Sequence, residues 1–512
     1  MPLNMDFVAN VRPSARQLAW QRMEMYGFIH FGMNTMTDRE WGLGHEDPAL
    51  FDPVHVDVDQ WAAAFKAAGM TGMILTCKHH DGFCLWPSAY TAHSVASSPW
   101  RSGRGDLVRE ASEAAARHGL RFGIYLSPWD RTEATYGQGT AYDDFYVNQL
   151  TELLTGYGPI FSVWLDGANG EGSNGKTQQY DWARYYNVIR ALQPEAVISV
   201  CGPDVRWAGN EAGHVRADEW SVVPARLRSA ELTAEKSQRQ DDPSLVRAVR
   251  SEDEDLGSRG ALEPYGDALA WYPAEVDTSI RPGWFHHADQ DDRVKSADEL
   301  FSLWRAAVGG NCTLLLNAPP NRDGLLAEPD VRALRGLGRR IAGFRERVIT
   351  VAGASVRASS GEESARAAFA GGSSSSGRHR SSGHWRIDPH DDAPELTIAF
   401  PSPERVEAVV LEEDIRVGQR IEDLAVDGIG TDGRILEIGA VHAIGYRRII
   451  TIDALELAGM RIRIRRSRGA AALSRVAAVR AAHGHDAAPP VRVVPRPDSP
   501  DADGRRTAIA GP

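Results

Sequence analysis

From about residue 20 to 345, short apolar runs alternate with longer stretches whose apolar side chains recur every three to four positions. The runs lie at 27–31, 72–77, 121–126, 160–165 and 197–201. Amphipathic stretches follow at about 56–68 (Trp61, Ala64 and Phe65 on one face), 107–118, 142–154 and 180–192. Runs this uniformly apolar read as strands buried on both faces, which is the habit of a parallel sheet. A long polar region, about 203–270, then carries a charged helical patch at 230–254 and little strand signal. Weaker strands are expected near 219–223 and 275–280, a helix at 297–308, a last strand at 312–317 and a closing helix at 329–344. Repeated β-α units of this length predict a (β/α)8-like barrel over residues 1–348, without a clear signal for one or two of its helices.

Beyond residue 349 the period changes. Glu395-Leu396-Thr397-Ile398-Ala399-Phe400, Val406-Glu407-Ala408-Val409-Val410-Leu411 and Arg461-Ile462-Arg463-Ile464 alternate with period two and are separated by glycine and aspartate turns. This predicts a C-terminal antiparallel β-sandwich over 349–482. A Ser/Gly-rich stretch at 371–383 reads as a mobile loop, and 483–512, rich in Pro, Asp, Ala and Arg, as a disordered tail. Trp385 is the sandwich's one tryptophan, too little for a sugar platform, which favours a structural role for that domain.

Composition narrows the function. A net charge of -12 over 512 residues argues against nucleic acid or an anionic membrane as partner. No apolar run is long enough to span a bilayer, and the first residues lack the basic start and apolar core of a signal peptide, so a cytoplasmic location is expected. Cys77, Cys84, Cys201 and Cys312 form no CxxC pair and read as free thiols, not as a disulfide frame or metal site. Fourteen tryptophans suit the stacking of rings on sugar faces, although tryptophan also fills cores.

The chemistry gathers where strands end. His30 follows the first strand, and Arg39-Glu40-Trp41-Gly42 lies in the next loop. Lys78-His79-His80-Asp81-Gly82-Phe83 ends the second. Tyr125 and Ser127-Pro128-Trp129-Asp130 come from the third, Trp164 and Asp166 from the fourth, and Arg206-Trp207-Ala208-Gly209-Asn210-Glu211 follows the fifth. One histidine or one acid alone would read as hydrogen-bonded structure or a helix cap. Packing has no reason to repeat such groups at five successive strand ends, and in a barrel those ends converge. Two carboxylates with neutral histidines, a tyrosine and tryptophans, and no phosphate loop or cofactor motif, suit glycoside hydrolysis. A metal hydrolase using His79, His80 and Asp166 is the rival; adjacent histidines at a strand end point apart, which disfavours joint ligation. No metal and no cofactor are expected.

Specific motifs then carry a resemblance. Phe28-Ile29-His30-Phe31-Gly32, Glu40-Trp41-Gly42, the Lys78 to Ser88 segment, Gly123-Ile124-Tyr125-Leu126-Ser127-Pro128-Trp129 and Trp164-Leu165-Asp166-Gly167 appear in this order. Ser279-Ile280-Arg281-Pro282-Gly283-Trp284-Phe285 and Leu314-Leu315-Leu316-Asn317-Ala318-Pro319-Pro320 complete the set. Together they resemble the α-L-fucosidases of glycoside hydrolase family 29 over roughly residues 20–345. The resemblance implies a retaining exo-hydrolase of terminal α-L-fucose, with Asp166 as nucleophile. It also implies sugar contacts from His30, Glu40, His79, His80 and Tyr125, and an aromatic lining from Trp41, Trp164 and Trp284. Glu211 resembles the acid/base of the subgroup acting on α-1,3/1,4-linked fucose of branched, Lewis-type glycans. Glu275 is the fallback, Glu219 a third choice and Glu171 the last.

The expected partner is therefore a fucosylated oligosaccharide or glycoconjugate. Three alternatives stay open: a broad-specificity α-L-fucosidase, a hydrolase of a related sugar, and a non-catalytic glycan-binding protein on the same scaffold.

Overall fold

The fold is that of a computed structural model, described over residues 3–237, 255–349, 354–370 and 383–482. Its first half holds ten strands: β1 (Met25–Ile29), β2 (Gly72–Lys78), β3 (Arg121–Leu126), β4 (Ile160–Leu165), β5 (Val197–Val200), β6 (Arg206–Trp207), β7 (Val222–Pro224), β8 (Leu269–Trp271), β9 (Ala274–Ser279) and β10 (Thr313–Asn317). Eight of them form one parallel sheet in the order β5-β4-β3-β2-β1-β10-β9-β6. A single parallel bridge, Ser199 to Val205, joins the two ends, so the sheet is a nearly closed barrel. β1, β2, β4, β5 and β10 are buried along their whole length, as largely apolar runs demand, and β9 is buried as well although it carries Glu275 and Asp277.

Helices Val58–Ala67, Leu107–Arg117, Thr140–Gly156, Trp182–Leu192, Ala297–Val308 and Glu328–Glu346 cover the outside. Most begin at an Asp or Ser whose side chain accepts the N–H three residues on: Asp57, Asp106, Asp181 and Ser296. Such a cap satisfies one of the orphaned amides of the first turn. The polar middle departs from the expected pattern. The strand foreseen near 219–223 exists as β7, but it pairs antiparallel with β8 outside the barrel. The sixth barrel strand is β6, two residues long inside a polar stretch, where no periodicity could announce it. Only residues 201–205 separate β5 from β6, too few for a helix. Of the charged patch at 230–254, Ala230–Lys236 is helical, and 238–254 lies outside the described residues.

The C-terminal region contains β11 (Ser355–Ala358), β12 (Glu395–Glu413), β13 (Ile421–Ile429), β14 (Ile435–Val441), β15 (Arg448–Ser467) and β16 (Leu473–Arg480), all antiparallel. The long strands β12 and β15 break register midway, between Ala399 and Glu404 and again near Ala408. Their outer halves pair with β11 and β13, and the inner half of β12 pairs with β16, so one bonded sheet forms both layers of a β-sandwich. Side-chain alternation on β12 ties this sandwich to the barrel. Val409 and Leu411 enter the sandwich core, whereas Ala408 and Val410 join the barrel's core. Bridges Gly310–Arg448 and Val348–Val479 reinforce the seam. Beneath them Glu24 accepts from Arg447 (2.7 Å), Arg345 (3.0 Å) and Tyr446 (3.1 Å). Trp385 is buried, its indole N–H donating to the Ser360 carbonyl at 2.8 Å. Residues 371–382 and 483–512 lie outside the described residues, and with them nearly all of the Ser/Gly-rich stretch and the whole of the tail segment.

Candidate active site

At the C-terminal rim of the barrel a pocket is lined by Phe28, His30, Trp41, His79, His80, Tyr125, Trp164, Asp166, Trp207, Glu211, Asp277 and Trp284, with Ala168, Val200 and Ser237. It brings together most of the residues singled out from sequence. Asp166 follows β4, and its carboxylate is oriented by two donors: the Tyr125 hydroxyl to Oδ2 (2.8 Å) and the Ala168 amide to Oδ1 (2.8 Å). His80 Nε2 stands 3.9 Å from Oδ2.

The three histidines are neutral, and their neighbours decide which nitrogen carries the proton. Ser127 donates its only hydroxyl proton to the Trp129 carbonyl (2.6 Å), so it must accept from His80 Nδ1 (2.7 Å), leaving Nε2 as an acceptor. Asn317 spends both amide protons on Ser279 Oγ (2.9 Å) and the Trp284 carbonyl (2.8 Å). Its Oδ1 therefore accepts from His30 Nδ1 (2.9 Å), and His30 Nε2 is also an acceptor. Asn34 donates to the Glu40 carbonyl (2.8 Å) and to His79 Nδ1 (3.2 Å), which makes His79 Nε2 the donor. Burial drives His30 down to about 3 and His80 to about 4, and burial followed by its two histidine neighbours pushes His79 well below its usual range. Two acceptors and one donor, fixed in place, form a set that can read the hydroxyl pattern of a small polyol.

The strand-two motif is built around a cation that never reaches the pocket. Lys78 is fully buried and bonds Asp130 (2.8 Å) and Gln149 (2.9 Å). Asp130 in turn accepts the amides of Thr132 and Glu133 and so shapes the loop after β3. Replacing Lys78 with methionine leaves this carboxylate buried and unpaired. Stability is expected to fall by about 3–5 kcal/mol, seen as a lower thermal unfolding midpoint; an unchanged midpoint would refute the account.

Trp41 stands edge-on to His80 and Trp129, with centroids at 5.3 and 5.1 Å, and Trp284 lies 5.0 Å from His30. The Trp284 loop is held from behind. Arg281 is buried and pairs with Asp330 (2.5 Å) and Asp291 (2.8 Å). Glu40 does not line the pocket. Its carboxylate accepts the amides of Trp284 (2.8 Å) and Phe285 (3.1 Å) and His287 Nε2 (2.9 Å). His287 also donates from Nδ1 to Asp38 (2.7 Å), and its bond to Glu40, above all, lifts it to about 9. Glu40 thus clamps the aromatic wall in place, a position that sequence alone did not give.

The other carboxylates separate clearly. Glu211 lies in the pocket and accepts the Trp284 indole N–H (2.9 Å). Burial raises it well above the usual carboxylate range, with like charge from Asp277, Asp166 and Glu40 adding to the effect. Glu275 lies outside the pocket lining, fully buried on β9, and bonds the Tyr26 hydroxyl and the Trp164 indole N–H (2.7 Å). Both its oxygens are engaged with the barrel interior. Glu219 pairs with Arg206 and Arg216, and Glu171 is exposed on its loop; neither lines the pocket.

Sequence reasoning passed over Asp277, and it met Trp207 and Phe28 only within motifs, with no role of their own. Asp277 was findable once β9 was placed, because Glu275, Asp277 and Ser279 share one face of a strand. It accepts the Trp207 indole N–H at 2.8 Å, and burial raises it to about 7.

Comparison with known proteins gives one consistent outcome. A family model described as alpha-L-fucosidase matches residues 44–343. The chain is 45% identical to alpha-L-fucosidase 1 of Arabidopsis thaliana over 63% of its own length and 58% of that protein, less than two thirds of the relative. A rice relative named for the same activity is 38% identical over 87% of this chain and 80% of its own. A crystal structure from Bacteroides ovatus ATCC 8483, also named for that activity, superposes with a TM-score of 0.79 at 40% identity, covering 96% of this chain and 77% of the other. A Ruminococcus gnavus GH29 fucosidase in complex with fucose gives 0.78 at 26% identity, over 95% and 96% of the two chains.

Proposed function

Because this chain belongs to the alpha-L-fucosidase family of glycoside hydrolases, we propose that it releases terminal α-L-fucose with retention of configuration, Asp166 acting as nucleophile and Glu211 as acid/base. The observation that carries this reading is the contrast between two carboxyl groups in one pocket. Asp166 is oriented by two hydrogen-bond donors. Glu211 has its proton affinity raised, chiefly by burial. Asp166 attacks the anomeric carbon while Glu211 protonates the departing glycosidic oxygen. Glu211 then takes a proton from the water that hydrolyses the fucosyl-aspartate. The fixed hydrogen-bond pattern of His30, His79 and His80 receives the sugar hydroxyls, and Trp41 and Trp284 wall the ring. The fucose complex of the Ruminococcus gnavus relative supports fucose as that sugar. On linkage, the resemblance of the Glu211 and Arg281–Phe285 segments favours α-1,3/1,4-linked fucose on branched glycans.

The test combines stereochemistry with a substrate panel. Proton NMR of the first-formed fucose should show the α anomer; the β anomer would rule out the double displacement. Lewis-type trisaccharides should be cleaved far faster than α-1,2-fucosyllactose, and comparable rates would overturn the linkage assignment while leaving the mechanism untouched.

A further inference from the structure

Glu211 does not stand alone at the acid end of the pocket. The residue after it, Ala212, forms an antiparallel bridge with Thr278 of β9. In such a bridge partners share a face, and their neighbours project from the opposite one. Ala212 and Thr278 therefore project to one side, and Glu211 and Asp277 both project to the other. That side is the pocket, which both line. The register sets Glu211 opposite Ser279 and puts Asp277 one diagonal step away, a relation that separates Cβ atoms by roughly 7 Å or less. Each carboxyl also accepts one indole N–H, Trp284 on Glu211 and Trp207 on Asp277.

We propose that Asp277 is a positioning residue of the reaction, one that acts through Glu211: the two facing carboxyls hold a single proton between them, and Asp277 keeps it on Glu211 until the leaving oxygen takes it. This rests on Glu211 being the acid/base. The groups facing Glu211 are Asp277, Asp166, Glu40 and the Trp284 N–H; those facing Asp277 are Glu211, Asp166, Glu275 and the Trp207 N–H. The raised proton affinity of both carboxyls agrees with the sharing. No net proton is gained or lost by Asp277 over a turnover. It repels ionisation of Glu211 while the substrate waits, and it favours the return of a proton from water in the second step.

The experiment is the pH dependence of kcat/KM on a fucoside with a poor leaving group, in the wild type, D277N, D277E and E211Q. Asparagine can still accept the Trp207 N–H but carries no charge. In D277N the alkaline limb should move to lower pH by roughly one unit or more. D277E, which restores the charge, should return it towards the wild-type position. A limb that stays in place in D277N, with equal losses on activated and unactivated substrates, would overturn the proposal and leave Asp277 a wall residue. E211Q separates the two readings: the limb should vanish. If instead it persists in E211Q and vanishes in D277N, Asp277 is itself the acid and the assignment of Glu211 fails.

Discussion

Asp166→Ala is expected to reduce turnover of an aryl α-L-fucoside by about 10⁴-fold or more, on the scale seen when a reacting group is removed outright. An aryl leaving group needs little protonation, so the loss isolates the attack step. Among the described residues that line the pocket, none replaces Asp166 from the same side of the barrel: Tyr125 and the Ala168 amide are its donors, not substitutes. Added azide should restore part of the rate. It must enter the space that the carboxylate vacated, opposite the leaving group, and the product should be the β-fucosyl azide. Unchanged turnover without azide, or an α-azide as the rescued product, would remove Asp166 from the attacking role.

Glu211→Ala should behave differently in each of these respects. Fucosides with poor leaving groups should lose about 10²–10⁴-fold, the usual worth of positioned proton transfer. Activated aryl fucosides should lose much less in the first step. On the proposed mechanism Asp166 still forms the covalent intermediate, so azide should attack the face opposite Asp166 and the product should be the α-fucosyl azide. Equal losses on both substrate types would transfer the acid role elsewhere. Glu275 is poorly placed to take it, because the Tyr26 hydroxyl and the Trp164 N–H occupy its oxygens. The pH profile adds a sign. Glu211 is raised by burial and by neighbouring negative charge, so its protonated form persists above the ordinary carboxylate range, and activity that depends on it should fall as pH rises and it ionises.

Much of this was legible in the chain. Strands β1 to β5 and β10 announced themselves because burial on both faces forces a largely apolar run, whereas β9, with Glu275 and Asp277 in it, gave only a weak signal; the nucleophile candidate stood out as a carboxylate where such a run stops. Nine of the proposed site residues line the pocket: His30, Trp41, His79, His80, Tyr125, Trp164, Asp166, Glu211 and Trp284. What escaped was non-local. Glu40 stays out of the pocket lining because the backbone of a loop 244 residues later presents its amides to it. β6 is too short to carry a period. Asp277 lay in a strand that was foreseen, but its partner Trp207 and its neighbour Glu211 reach it only through the pairing of β6 and the Ala212 bridge.

That irregular seam has a consequence for how such a barrel can change. The side of the rim from β1 to β4, which supplies the histidines, Tyr125 and Asp166, rests on complete strand-helix units whose geometry is over-determined by packing. The opposite side, from β5 through β6 to β9, has a two-residue strand, no intervening helix before it and one bridge for closure. The strands there are still core, with Ile198, Val276 and Ile280 buried in it, so room for insertion lies in the loops that join them. On the reading proposed above, variation in the loop that carries Glu211 would alter what lies beyond the fucose, while His30, His79, His80, Tyr125 and Asp166 across the pocket keep their setting.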